Sequence, residues 1–175
     1  MLIVFGGLPG TGKTTVARAL ASRMGAVYLR IDSLEHAFIA AVGEKVDIGA
    51  AGYLAGYAVA KDNVNLGLTV IADSVNALHI TRTAWRNVAA SAGVPIFEIE
   101  VICSDAGIHR LRVESRIADI TGQMLPAWES VLERHYDEWN SEHLIIDTAV
   151  MSVEEAVEQV IQSLSSPAVH DDGVS

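Results

Sequence analysis

The chain predicts an α/β fold, a parallel sheet covered by helices on both faces. Three observations carry this. Short apolar runs rich in Val and Ile alternate with longer helical patterns. Half of the residues are apolar but only 6% are aromatic, so Ala, Val, Ile and Leu must build the core, as in a sheet buried under Ala-rich helices. The 175 residues suffice for one domain with a sizeable core, and neither a repeat nor a linker divides them. Residues 1–165 read as that domain, and 166–175, small, polar and acidic, as a loosely held tail.

The elements follow in order. Leu2–Phe5 is the first strand and Thr14–Met24 the first helix. Ala26–Ile31 is the second strand. Ser33–Val42 is helical, with Asp32 or Ser33 available as N-cap. Residues 43–49 form a loop. Ala50–Gly67 is Ala-rich and predicts a long helix despite Gly52 and Gly56. Thr69–Ala72 is the third strand. His79–Ala92 is a helix stopped by Gly93 and Pro95. Ile96–Cys103 is the fourth strand, and Asp105–Ile117 a helix capped by Ser104 or Asp105. Residues 117–125, with Gly122, read as a short mobile connection. Pro126–Trp139 predicts a helix with Pro in its first turn. Leu144–Ile146 is the fifth strand. Val153–Leu164 is the last helix, with Ser152 and Glu155 forming a capping box.

Charge and composition exclude some functions. A net charge of −10 argues against a nucleic-acid binder that depends on phosphate contacts. Cys103 is the single cysteine, so no intramolecular disulfide forms, and its place at the end of an apolar run predicts a buried thiol. The histidines are scattered and predict no zinc site. No secretory signal or membrane span is evident, which leads to the expectation of a cytoplasmic protein without membrane partners.

The most specific pattern is Gly7-Leu-Pro-Gly-Thr-Gly-Lys-Thr14, a G-x-x-x-x-G-K-[ST] phosphate-binding loop placed between a first strand and a first helix. Gly7, Gly10 and Gly12 let the backbone around Thr11 turn its N–H groups toward a polyphosphate. Lys13 reaches the β- and γ-phosphates, the Thr14 hydroxyl can ligate Mg²⁺, and Thr15 opens a helix whose positive end faces the anion.

Ligands of parallel sheets bind at the carboxyl ends of the strands, so the polar residues there are site candidates. Asp32 follows strand two, where it can take the proton of an acceptor hydroxyl or merely cap a helix. Asp73 follows strand three, where it can hold Mg²⁺ through water, contact the acceptor or start a turn. Asp147-Thr148 follows strand five. Arg82 and Arg86 lie one turn apart on the next helix, able to hold an anionic acceptor or to pair with carboxylates, Arg82 being the nearer to the strand end. Tyr53, Tyr57, His36 and Phe38 fall between strands two and three, where aromatic rings suit an amphipathic acceptor or simply pack in the core. Arg110, Arg112 and Arg116 concentrate positive charge before the mobile connection, and Arg112 and Arg116 share a helix face.

The chain lacks an Asn-Lys-x-Asp guanine signature and a Leu-Ser-Gly-Gly motif, and it is too short for a large mechanical ATPase. It resembles instead the small P-loop kinases, the zeta-toxin-like and chloramphenicol phosphotransferase-like group of P-loop NTPases that includes gluconate and adenylylsulfate kinases. The resemblance spans most of residues 1–165. Ile31-Asp32-Ser33-Leu34 resembles the strand-two end of chloramphenicol phosphotransferases and implies that Asp32 is the base. Ile145-Ile146-Asp147-Thr148 resembles the loop bordering the adenine and implies a nucleotide contact at Asp147. The Arg112-x-x-x-Arg116 pair resembles the one before the kinase lid, implying that Arg112 stacks on adenine and Arg116 stabilises the transferring phosphate. The implied fold is the three-layer P-loop NTPase fold, strand order 2-3-1-4-5, with a short lid.

These readings converge on an ATP- and Mg²⁺-dependent phosphotransferase acting on a hydroxyl of a small molecule. Lys13, Asp32 and Arg116 are its catalytic candidates, and Asp32, Asp73 and Arg82 its acceptor-side candidates. Two alternatives stay open: a nucleotide or nucleotide-sugar kinase, and an ATP-binding regulator that transfers nothing.

Overall fold

β1 (Leu2–Gly6) is buried along its whole length, and its alternating side chains seed two separate cores. The computed structural model describes residues 1–43, 45–118 and 125–165. β1 lies at the centre of a five-stranded sheet with β2 (Val27–Arg30), β3 (Val70–Asp73), β4 (Ile96–Ile102) and β5 (Leu144–Asp147) in the order β2-β3-β1-β4-β5. Every pairing is parallel, as expected of strands joined by helical crossovers.

Ile3 and Phe5 point to one face, where they pack with Ile71, Ile99, Val101 and Ile146 under α1 (Lys13–Met24) and α7 (Val153–Ser165). Leu2 and Val4 point to the other, with Val70, Ala72 and Trp85 under α3 (Ala51–Asn65) and α4 (His79–Ala92). The three-layer arrangement is thus the direct consequence of strands that are apolar on both sides.

α2 (Ile31–Val42) starts immediately after β2, two residues earlier than its sequence suggests. Asp32 therefore sits inside the first turn and does not cap the helix, whose N-terminus has no side-chain cap bond. The glycines of α3 have a packing reason. A Cβ on Gly56 would come 2.3 Å from Ile31 Cδ1, and one on Gly52 2.3 Å from Glu35 Cγ, so both let α3 press against α2. The capping box of α7 is present, with Ser152 N–H donating to Glu155 (2.8 Å) and Glu155 N–H to Ser152 Oγ (3.2 Å). Asp105 caps α5 (Ala106–Ser115) by accepting from the Ile108 N–H at 2.8 Å.

The long helix expected over Pro126–Trp139 is a correction. Only α6 (Trp128–Leu132) is helical, and the chain then runs irregularly to β5. The reason is tertiary. Arg82 is fully buried and donates to the carbonyls of Asn76 (3.0 Å), Ala77 (3.1 Å), Asp137 (2.8 Å) and Glu138 (3.0 Å). Its guanidinium also lies over the Trp139 ring at 4.2 Å. Asp137 N–H donates to the Ala77 carbonyl and the Asp137 carboxylate accepts from His79 N–H, so the backbone of this stretch bonds to its neighbours instead of to itself. The tail after residue 165 and most of the expected lid, residues 119–124, lie outside the described residues.

Replacing Arg82 with Met would remove the side-chain donor of the Asn76, Asp137 and Glu138 carbonyls and leave the Ala77 carbonyl only its bond from Asp137 N–H. Arg82→Met is expected to lose at least ~3 kcal/mol of stability, roughly 10 °C in Tm, read by urea and thermal unfolding. An unchanged urea midpoint would show that Arg82 does not hold this segment.

Candidate active site

The phosphate-binding loop follows β1 and turns through Gly7, Gly10 and Gly12, all at positive φ. Its backbone is tied into the protein at several points. Gly7 N–H donates to the Val75 carbonyl at 3.0 Å. The Thr11 hydroxyl donates to the Leu8 carbonyl at 2.9 Å, and the Thr11 carbonyl accepts from the Thr148 hydroxyl at 2.6 Å. Thr11 is buried, so its side chain shapes the loop from within. α1 begins at Lys13 with Gly12 as its N-cap, which points the helix N-terminus at the loop's interior.

A cleft of about 500 Å³ opens over this loop. Gly10, Gly12, Lys13, Thr14, Thr15, Arg112, Arg116 and Thr148 line it, and Arg18 adds a fourth cation. Among the described residues no carboxylate lines it, in a chain of net charge −10. That concentration of positive charge suits an anionic ligand.

A second cleft of about 260 Å³ lies on the β2–α2 side. Asp32, Glu35, His36, Tyr53 and Arg134 line it together with Lys13 and Arg116. The two clefts therefore meet at one lysine and one arginine. Asp32 is half-buried and accepts from Arg30 at 3.5 Å. Burial, and then the negative charge of Asp32, push the Glu35 carboxyl above its usual range, against the opposing effect of Arg134.

Asp73 ends β3 in register with Phe5, at the level where β1 passes into the loop. It is almost wholly buried. One carboxylate oxygen accepts from the Tyr28 hydroxyl at 2.7 Å, and Oδ1 has no hydrogen-bond partner among the described residues. Burial and the Asp73 charge together raise the Tyr28 phenol, which stays a donor. Thr14 lines the first cleft while Asp73 lines neither, so a hydrated Mg²⁺, which keeps most of its ligands as water and phosphate oxygens, would meet Thr14 directly and the orphan Oδ1 only through water. No group of three or more His, Cys, Asp or Glu able to hold a metal occurs among the described residues.

Two candidates sit elsewhere than expected. Arg82 does not line either cleft; its guanidinium is consumed by the four carbonyls described above, which corrects its reading as an acceptor ligand. Arg86 is likewise engaged, with Glu98 at 2.8 Å and Ser141 at 2.6 Å. Asp147 turns its carboxylate onto the backbone, accepting from Ser104 N–H and Ala149 N–H at 3.0 Å each. It is the next residue, Thr148, that lines the cleft.

Arg112 donates to the Thr148 hydroxyl (2.7 Å) and carbonyl (3.0 Å) while lining the first cleft. Glu35 and Arg134 were missed. Glu35 had a signal, since it stands three residues after Asp32 on the same helix face. Arg134 had none, because it lies in the irregular stretch after α6.

A three-layer sheet with this strand order and a phosphate-binding loop after its central strand defines a P-loop NTPase of the kinase type. More narrowly, the chain belongs to the AAA_33 family, described as an AAA domain, whose profile matches residues 2–135. No curated protein matches its sequence. Several solved structures share the fold. A candidate kinase from Chloroflexus aurantiacus is 23% identical with a TM-score of 0.74, over 93% of this chain and 94% of that one. Kti12 from Chaetomium thermophilum, solved with ADP-AlF3, is 20% identical with a TM-score of 0.70, over 95% and 100%. The APS kinase CysC of Mycobacterium tuberculosis, solved with AMPPNP and APS, is 20% identical with a TM-score of 0.66, over 94% and 97%. Among the described residues no helix is long and apolar enough to cross a membrane.

Asp147 gives the site a pH dependence. The Ser104 hydroxyl first, then the Ser104 and Ala149 N–H groups and the Arg112 charge, hold its carboxyl below the usual range, against the effect of burial. A depressed carboxyl stabilises the fold above its unfolded pKa of about 3.9, and that contribution fades as pH falls through the folded value. Asp147→Asn is therefore expected to lower the urea midpoint at pH 7, with the gap from wild type closing in acid. A gap constant with pH would remove this account.

Proposed function

We propose that the protein is an ATP-dependent phosphotransferase that moves the γ-phosphate to a hydroxyl of a small, non-phosphorylated molecule. The observation that carries this reading is the meeting of two clefts at Lys13 and Arg116. Phosphoryl transfer needs positive charge around the group in flight and separate seats for donor and acceptor on either side of it. One cleft holding the nucleotide and one holding the acceptor, with these two cations between them, meets that need.

In this reading ATP occupies the larger cleft. Its polyphosphate lies on the loop N–H groups and Lys13, and Arg112 borders the base. The neighbours solved with AMPPNP or ADP-AlF3 support a nucleotide here. Thr14, and Asp73 through water, would hold a Mg²⁺, which would supply charge neutralisation on the phosphates when bound. The acceptor enters the smaller cleft with its hydroxyl toward Asp32. A bond forms from that oxygen to the γ-phosphorus, the bond to the β–γ bridging oxygen breaks, and the hydroxyl proton passes to the Asp32 carboxylate. Arg116 neutralises charge on the group transferred.

The charges of the smaller cleft favour an acceptor without phosphates over a nucleotide or nucleotide-sugar. Lys13 and Arg116 serve the γ-phosphate, Arg134 faces Glu35, and Arg82 and Arg86 are engaged elsewhere. Two carboxylates one helical turn apart, Asp32 and Glu35, would repel a second phosphate and accept hydrogen bonds from hydroxyl or amino groups instead.

A screen of ADP release across polyols, amino alcohols, sugars and nucleosides, with their phosphorylated forms as the contrast, tests the reading. With the acceptor found, Lys13→Ala is expected to abolish turnover while leaving the melting curve in place. Asp32→Asn should lower kcat by about 100- to 10,000-fold. A loss confined to KM would make Asp32 a positioning group and not the base.

A further inference from the structure

His109 is a titratable side chain that the reaction above does not use, yet it touches the phosphate-binding loop. It lies in the first turns of α5 and is only 8% exposed. Its Nε2 is 2.8 Å from the Pro9 carbonyl oxygen. A carbonyl can only accept, so Nε2 carries the proton and His109 is the donor. The ring is held edge-on to Trp128, with centroids 5.1 Å apart. Contact between α5 and the loop is close. A Cβ on Gly10, at φ +85, would come 2.5 Å from Val113 Cγ2 and 3.2 Å from the His109 ring.

We propose that His109 is a positioning residue: by binding the Pro9 carbonyl it holds the phosphate-binding loop in its anion-receiving shape and fastens to it the helix that carries Arg112 and Arg116. The proposal rests on the nucleotide reading given above. Pro9 is buried and has no N–H, so the carbonyl is the only backbone group with which this part of the loop can be gripped from outside. If the Pro9–Gly10 peptide rotates, the Gly10 N–H rotates with it, because the peptide unit is planar. A bond to one carbonyl thus fixes the direction of the next N–H. On the same helix, Arg112 reaches Thr148, whose hydroxyl bonds the Thr11 carbonyl. α5 therefore grips the loop on both sides of Gly10.

Three variants separate the bond from the bulk. His109→Phe keeps a ring against Trp128 and loses the donor. His109→Gln keeps an N–H at the reach of Nε2 and loses the ring. His109→Ala loses both. Titration calorimetry with MgATP is expected to show about tenfold weaker binding for His109→Phe and His109→Ala, and a Kd within about threefold of wild type for His109→Gln. Thermal melting follows each variant alongside, since a purely packing role would rank Phe above Gln in both measurements. ATP binding by His109→Phe equal to wild type overturns the proposal, as does binding by His109→Gln no better than by Phe, or its failure to fold. Absence of MgATP binding by the wild type is a different result, which removes the nucleotide reading and this inference together.

Discussion

A loop that turns its N–H groups toward one centre leaves its carbonyls facing the protein, and buried carbonyls need donors. The surroundings of residues 7–14 are arranged to supply them. The Leu8 carbonyl receives Thr11, the Pro9 carbonyl receives His109, and the Thr11 carbonyl receives Thr148. The Gly12 carbonyl starts the hydrogen bonding of α1. These donors come from the loop itself, from α5 and from the end of β5. The N–H of Gly7 is held in turn by the carbonyl of Val75, just beyond β3. The anion cradle is thus assembled by strands on both sides of β1, and the sheet order is the condition for it.

The same constraint explains how the charge is distributed. The chain is acidic as a whole, but four cations line the first cleft and, among the described residues, no carboxylate lines it. Elsewhere arginines do structural work. Arg82 donates to the Asp137 and Glu138 carbonyls in the irregular stretch after α6, and Arg86 offsets the buried Glu98. Such a division leaves few cations for a second anionic ligand. Asp32 and Glu35 then set the character of the smaller cleft, with Glu35 held above its usual range by burial and by its neighbour.

What was legible in the sequence is what short-range chemistry determines. β1, the loop and the start of α1 are contiguous, and their spacing already places Lys13 and Thr14 at a polyphosphate. Strand ends were legible too, because an apolar run stops where its flanking polar residue begins, which located Asp32 and Asp73. Arg82 was not legible. Its helical position toward the strand end suits a ligand as well as a brace, and the carbonyls of Asp137 and Glu138 that decide the matter lie 55 and 56 positions away. The helix expected over Pro126–Trp139 failed for the same reason, since its local pattern gave no sign that Trp139 would pack against Gly6 and under Arg82. Asp147 differed by a single residue: at a strand end, the register of the turn decides whether the acid or its neighbour faces the cleft.

α5 joins these themes, because its chemistry follows one stripe. His109, Arg112 and Arg116 are spaced three and then four residues apart, which sets them along one face. His109 meets the loop, Arg112 meets Thr148 beside the first cleft, and Arg116, the C-cap, lines both clefts. Because a short helix moves as a rigid body, a displacement of its N-terminal grip shifts the arginine at its C-terminus. In the proposed transfer reaction the loop's backbone and the charge around the group in flight are then not independent. If two small molecules meet here as proposed, with a highly charged group between them, the site gains from this linkage, since the cation at the junction is set by the same contact that shapes the anion cradle.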